Sequence, residues 1–390
     1  MKKSILAALA VTLMSAVPVY AEDFHGYDPA TFDSAMLPAE NLKAMVTDTM
    51  KVTPPKNGKN YVIGFANLAR DVPFCALVEQ GIKENAEAAG IELVVADNKL
   101  DGATALTNAE SFITRDVDFV IEFQTDAAFG ATIMQKMNDA GIKVVAIDIP
   151  MPGATFFGVN NPRAGFMGGA YLAQAAIARF GLDKVKQGYF IEGELPQSGP
   201  IPAMRTGGQV AGFLASVPGF DASHVLKFDS KNVLEESFTQ TNSLLGKIPA
   251  DVPIMGTAIN DQATTGILRA VKQGGREKDV LVVGLGADEK DTLANEPNFV
   301  ASVGSFPERY GNALIPIALS TLAGKAIPDA VLINHVMVNK QTICNYYKDY
   351  KCSTDPEMSY TFPQKEFEAY LATLKDDPTL KDVQNLVPTK

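Results

Sequence analysis

From Tyr61 onward the chain alternates short, near-continuous apolar runs with stretches whose apolar residues recur at helical spacing, and this rhythm leaves few folds open. The runs Tyr61 to Ala66, Leu93 to Ala96, Phe119 to Phe123 and Val144 to Ile147 are apolar at nearly every position. A strand wetted on one face alternates polar with apolar residues. A run without alternation predicts a strand covered on both faces, as in a parallel sheet between layers of helices. Between the runs, Phe74, Leu77, Val78, Ile82 and Ala86 mark a helix face that ends at Gly90. A second series follows at Gly188 to Ile191, Val225 to Phe228, Val252 to Met255, Val280 to Leu285 and Val300 to Gly304. Two series predict two α/β domains, each a doubly wound parallel sheet. At 390 residues the chain exceeds what one core usually serves, and a 46% apolar composition fills two.

Between the two series lies Gly158-Val159-Asn160-Asn161-Pro162. Asn161 suits a helix cap and Pro162 the first helical position, so a helix is expected from about Arg163 to Arg179. Gly165, Gly168, Gly169 and Ala170 let that helix approach its neighbours closely. A domain crossing at this point fits a hinge. Ahead of the first series, residues 22–59 read as an extension whose Leu42, Met45, Val46 and Met50 form one amphipathic helix before Pro54-Pro55, packed on its own domain. Past Asn339 a second extension carries Phe367, Tyr370, Leu371 and Leu374 at helical spacing, and packing on the second lobe is expected.

Lys2 and Lys3, the apolar stretch Ile5 to Val17 and the sequence Val19-Tyr20-Ala21 follow the order of a cleavable secretory signal peptide over residues 1–21. The stretch falls short of the roughly 18 residues of a membrane span, and no later run approaches that length. No Cys follows the cleavage point to carry a lipid. The expected mature chain is exported and soluble. Loss of Lys2 and Lys3 with the leader takes the formal charge from -11 to -13, a surface that repels phosphate backbones, so no nucleic-acid partner is expected. In an oxidising compartment Cys344 and Cys352 can close a short loop for about 2–3 kcal/mol. That leaves Cys75 as a small apolar residue on a helix face. His25, His224 and His335 show no ligand spacing, so no metal is expected. Gly284-Leu285-Gly286 lacks the third glycine of a dinucleotide turn and sits late in the second series. With no nucleophile elbow either, no enzyme, catalytic residue or cofactor is expected.

Several segments, in this order and spacing, resemble the ribose-binding branch of the type I periplasmic binding proteins over roughly residues 60–338. They are Asp71-Val72-Pro73-Phe74 after the first strand, the strand end Val145-Ala146-Ile147-Asp148, the crossing Asn160-Asn161-Pro162, and the helix containing Arg205 and Gly212-Phe213. Ala258-Ile259-Asn260-Asp261-Gln262-Ala263, Val282-Val283-Gly284-Leu285-Gly286 and Phe306-Pro307 continue the series. The resemblance implies two lobes, discontinuous in sequence, joined by a three-crossing hinge: 60–160 plus 306–328, and 161–305 plus 329–345, with 346–390 as an extension. It also implies a monomeric solute-binding component of an ABC importer, located in the periplasm, with a sugar-like ligand in the cleft and a membrane permease as partner. The same clamp could instead present ligand to a chemoreceptor or membrane kinase. A sugar-responsive repressor shares the fold, but the leader and the lack of an N-terminal DNA-binding helix-turn-helix argue against that reading.

In this family the counterpart of Phe74 stacks on the apolar face of a sugar ring. Asp148, ending a strand, is expected to accept hydroxyl hydrogen bonds, although it could also cap the following turn. Arg205 matches the position of a guanidinium fork on the ligand, and Asn260 offers a donor and an acceptor unless it caps the helix that follows. Asp71 joins this expected set. Where ribose binders place Asn the chain has Val72 and Phe123, and Ile149, Gly286 and Ser305 replace family Arg, Asp and Gln. Each ligand polar group left without a partner costs about 1–3 kcal/mol, so a ligand other than ribose, less hydroxylated or partly apolar, is expected. Arg70, Gln124, Asn232 and Asp288 lie near the family contact positions and are candidates to supply compensating bonds.

Overall fold

The structure is a computed structural model and describes residues 37–388 except Thr125. The expected leader, the first part of the N-terminal extension and His25 lie outside the described residues. Among the described residues, twelve strands form two six-stranded sheets. They are β1 (Val62–Asn67), β2 (Glu92–Asp97), β3 (Phe119–Glu122), β4 (Lys143–Ile147), β5 (Thr155–Val159), β6 (Tyr189–Glu194), β7 (Val225–Asp229), β8 (Ile254–Ala258), β9 (Val280–Gly286), β10 (Phe299–Gly304), β11 (Ala330–Ile333) and β12 (Val336–Val338).

The first sheet runs β11-β5-β4-β3-β1-β2, parallel throughout, and the second runs β12-β10-β9-β8-β6-β7, parallel except for antiparallel β12 at its edge. In both, the chain starts next to the edge, steps outward once and then winds back, which puts a switch in direction beside the first strand of each lobe. The fold is the two-lobe, doubly wound α/β architecture that the apolar runs predict. Helices Pro73–Ala89 and Gly311–Leu322 cover one face of the first sheet, and Gly102–Thr114 and Ala127–Asp139 cover the other. Helix Ala39–Val52 buries Leu42 and Val46 against the first of these layers.

In the second lobe, helices Asn161–Phe180 and Pro200–Ser216 lie together over one face and Leu234–Leu245 and Asp261–Gln273 over the other. The first pair is in backbone contact. A Cβ on Gly165 would overlap the carbonyl oxygen of Arg205, one on Gly169 that of Gln209, and one on Gly212 that of Phe166. Only glycine permits this approach, and it brings Arg205 over the start of helix Asn161–Phe180. The sequence pointed to glycines on the first helix; their complement on the second, Gly208 and Gly212, was needed as well.

The chain passes between lobes after Val159, after Gly304 and after Ile333. The third passage corrects an expectation. The sequence places residues 330–333 in the C-terminal lobe, but β11 hydrogen-bonds to β5 in the first sheet, so the crossing falls at Asn334-His335. The helix cap after the first crossing also shifts by one: the side chain of Asn160, not Asn161, accepts the Arg163 backbone N–H at 3.3 Å. Cys344 is bonded to Cys352, and Cys75 is a buried free thiol.

The C-terminal extension does more than pack on the second lobe. Phe367, Leu371 and Leu374 lie on Ile201, Met204 and Phe166, and Leu380 and Val387 complete a cluster that includes Phe156 of β5, with Ala330 and Leu332 of β11 against it. Asn385 Nδ2 donates to Asp329 Oδ2 at 3.1 Å. The tail therefore touches both lobes beside the hinge. Among the described residues no helix is long and apolar enough to cross a membrane.

Candidate functional site

Parallel strands end at one edge of each sheet, and the two edges face each other across a cavity of about 50 Å³. Ligands of open α/β sheets sit beyond strand carboxyl ends because backbone donors and helix starts converge there. The first lobe contributes Leu68, Phe74, Cys75, Phe123, Asp148 and Ile149. The second contributes Arg205, Asn232 and Asn260 among Leu195, Pro202, Ile259 and Leu285, with Ser198 also on the wall. The wall is mostly apolar, with its charged groups on opposite sides.

Asp148 follows β4 in the left-handed conformation, φ 54°, which Asp enters more readily than most residues. Its Oδ1 accepts the backbone N–H of Val159 at 3.0 Å, which holds the carboxyl at the base of the cleft. Burial raises its pKa, while the positive charge of Arg205 and the Val159 bond pull it back. Arg205 enters from helix Pro200–Ser216, also buried. Its Nε donates to Asn161 Oδ1 at 2.9 Å and its Nη1 to the carbonyl oxygen of Ile259 at 2.7 Å. Nη2 has no hydrogen bond to another described residue. A guanidinium stays protonated even so, and Asp148 offsets part of its burial.

Phe74 opens helix Pro73–Ala89 and packs edge-on to Phe123 and Tyr310, with centroids 6.4 and 5.8 Å away, forming an aromatic wall. Asn260 lines the cavity but is already engaged. Its Oδ1 caps helix Asp261–Gln273 through the Ala263 N–H at 2.8 Å, and its Nδ2 donates to Asn232 Oδ1 at 2.8 Å. That bond leaves the Asn232 Nδ2 as the free donor of the pair among the described residues.

Four of the proposed contact residues lie off the cavity wall. Arg70 is exposed, and its fork is taken by Glu79, with Nη2 to Oε1 at 2.6 Å and Nε to Oε2 at 2.8 Å. Asp71 is exposed beside it. Gln124 is buried and its Oε1 accepts the Asp126 N–H at 3.0 Å. Asp288 turns back beneath Gly286 towards Asp261, whose Oδ2 accepts the Asp288 N–H at 3.0 Å, and burial together with the Asp261 charge holds the Asp288 carboxyl well above the usual range.

Sequence reasoning missed Asn161 as the partner of Arg205, and missed Leu195 and Pro202. The segment Pro196 to Pro202 carried a signal: Gly199, which adopts φ 81°, directly precedes Pro200 at the start of a helix. Of the departures from ribose binders, Phe123 and Ile149 stand on the wall as apolar surface.

Two doubly wound lobes, three crossings and a half-open cavity at facing strand ends define a type I periplasmic binding fold. The chain belongs to the periplasmic binding protein domain family, whose model matches residues 63–326. It is 24% identical to the ribose import binding protein RbsB of Escherichia coli over 280 residues, 69% of this chain and 87% of that protein. A solute binding protein of an ABC transporter from Bacillus halodurans, solved with myo-inositol, superposes with a TM-score of 0.63 at 20% identity, covering 75% of this chain and 98% of that one. Another, from Actinobacillus succinogenes with D-allose, gives 0.62 at 21% identity, covering 74% and 100%.

Proposed function

We propose that this protein is the periplasmic solute receptor of an ABC importer, exported through the leader at residues 1–21. In this reading it works as a monomer and delivers a compact, sugar-like ligand other than ribose to a membrane permease. One observation carries the reading: Asp148 from the first lobe and Arg205 from the second bound the same cavity, each within the electrostatic field of the other. Asp148 accepts a ligand hydroxyl, and Arg205 Nη2 and Asn232 Nδ2 donate to ligand oxygens. The aromatic wall at Phe74 covers an apolar ring face. Few polar groups against a mostly apolar wall suit a ligand with fewer oxygens than ribose exposes. The ABC transporter proteins of similar fold that hold myo-inositol and D-allose support a ring compound as the ligand class, and the mostly apolar wall here narrows it to a ring with fewer hydroxyls than either of those carries.

A thermal-shift screen of the mature protein against sugars, deoxy sugars, polyols, sugar acids and nucleosides tests this. A ligand bound only by the folded state raises apparent stability by mass action, about 2.7 kcal/mol at a hundred times Kd. A hit among sugars or polyols is expected. Calorimetry showing ribose bound at micromolar Kd, about -8 kcal/mol, contradicts the choice of ligand.

A further inference from the structure

His335 stands where the three crossings meet. Its Nε2 accepts the backbone N–H of Asn160, on the first crossing, at 3.2 Å. Its Nδ1 lies 3.0 Å from the carbonyl oxygen of Gly304, where the second crossing begins. The third crossing carries the ring itself. A carbonyl oxygen only accepts, so Nδ1 bears the proton and the imidazole is neutral. His335 is 7% exposed. Burial, opposed by the Gly304 bond and reinforced by the Arg205 and Arg163 guanidiniums of the two neighbouring helices, lowers its pKa to about 4. A proton on Nε2 would face the Asn160 N–H donor to donor.

One residue beyond the pinned Asn160, Asn161 is 1% exposed and spends its Oδ1 on the Nε–H of Arg205 at 2.9 Å. Its Nδ2 meets no acceptor among the described residues. The side chain is thus committed to the guanidinium alone. The close contact of helices Asn161–Phe180 and Pro200–Ser216 through Gly165 leaves this geometry little slack.

We propose that Asn161 and His335 are positioning residues for the ligand site: His335 pins the three crossings to one another, and through Asn160 this fixes where Asn161 holds the guanidinium of Arg205. Opening the hinge then moves the anchor of a ligand-facing group, which gives the bound ligand different contact with the open and closed states. The inference rests on Arg205 being a ligand group, yet its test needs no ligand, so the two readings fail separately.

The test is the solvent-exchange protection factor of the Arg205 Nε–H, followed by nitrogen-15 NMR on the ligand-free mature chain. Asn161→Ala removes the acceptor and calibrates the readout. His335→Asn keeps a group for Gly304 but loses the acceptor for Asn160, and protection should fall at least about tenfold, the signature of a local opening. His335→Gln carries an acceptor and a donor at its tip and should restore it. In the wild-type protein the imidazole nitrogen shifts should report the neutral Nδ1–H form down to about pH 4, with Arg205 protection lost in the same titration and no such step in His335→Gln. Unchanged Arg205 protection in folded His335→Asn, or an imidazole that protonates while Arg205 stays protected, overturns the proposal.

Discussion

Gly158 and Asp148 leave no space between them: a Cβ at Gly158 would overlap Asp148 Oδ1 and stand 3.0 Å from the Asp148 backbone. Gly158 lies in β5, paired with Leu332, so the strand cannot move aside. Gly158→Ala is therefore expected to cost about 1–3 kcal/mol by overpacking. It should also displace the carboxylate from the Val159 N–H. Chemical denaturation measures the first effect, and titration with a ligand found by the screen measures the second as a loss of affinity larger than the stability change alone produces. A variant with unaltered midpoint and affinity counts against the placement of Asp148.

Glu122 sits at the end of β3 with no exposure; among the described residues it is held by one bond from Asn98 Nδ2 at 3.0 Å to Oε1, and Oε2 has no partner. Burial lifts its pKa to about 8, against the Asn98 bond. The folded state then keeps a proton that the unfolded chain gives up near pH 4.5. Stability from this group is complete below that pH and is lost as pH rises towards 8, at up to about 1.4 kcal/mol per pH unit. Glu122→Gln keeps the acceptor for Asn98 and should flatten the decline. Urea denaturation of both proteins between pH 5 and 8 checks it, and parallel profiles would show Glu122 ionised in the fold.

Much of this arrangement was legible in the sequence, and the failures have physical causes. Near-continuous apolar runs reveal strands buried on both faces, and a parallel sheet follows. Residues 330–338 are also one apolar run, interrupted only at Asn334-His335. Nothing in it says that Ala330–Ile333 joins one sheet and Val336–Val338 the other, because that depends on which sheet edge lies within reach. Arg70 and Arg205 look alike as candidates. Their difference is set by Glu79, on the next helix, and by Asn161, whose distance in sequence hides the contact. Asn260 is legible as a donor and acceptor or as a helix cap, but its engagement with Asn232 depends on how two strand ends meet.

The tail from Leu380 to Val387 closes a cluster shared by both lobes, and Asn385 ties it to Asp329. Ending the chain after Asp377 removes two buried apolar side chains, each worth about 1.5–3 kcal/mol, and the only tie from this segment to the first lobe's Asp329 among the described residues. The truncated protein should be less stable, and its ligand-free radius of gyration should be larger, because a brace beside the hinge favours the closed arrangement. An unchanged radius, with stability also unchanged, would make the tail a passive cover.

In the proposed clamp, Asp148 and Arg205 hold the ligand from opposite lobes, so that neither lobe alone completes the site. A ligand shifts an open-closed equilibrium only by its difference in affinity for the two states, and contacts divided across the cleft supply that difference. The direct measurement is small-angle scattering of wild-type protein, stripped of ligand by unfolding and refolding, with and without a saturating ligand from the screen. The radius of gyration should fall on binding, and Arg205→Ala at equal saturation should stay more open. A radius that does not change at saturation, in protein shown to begin open, would contradict the clamp.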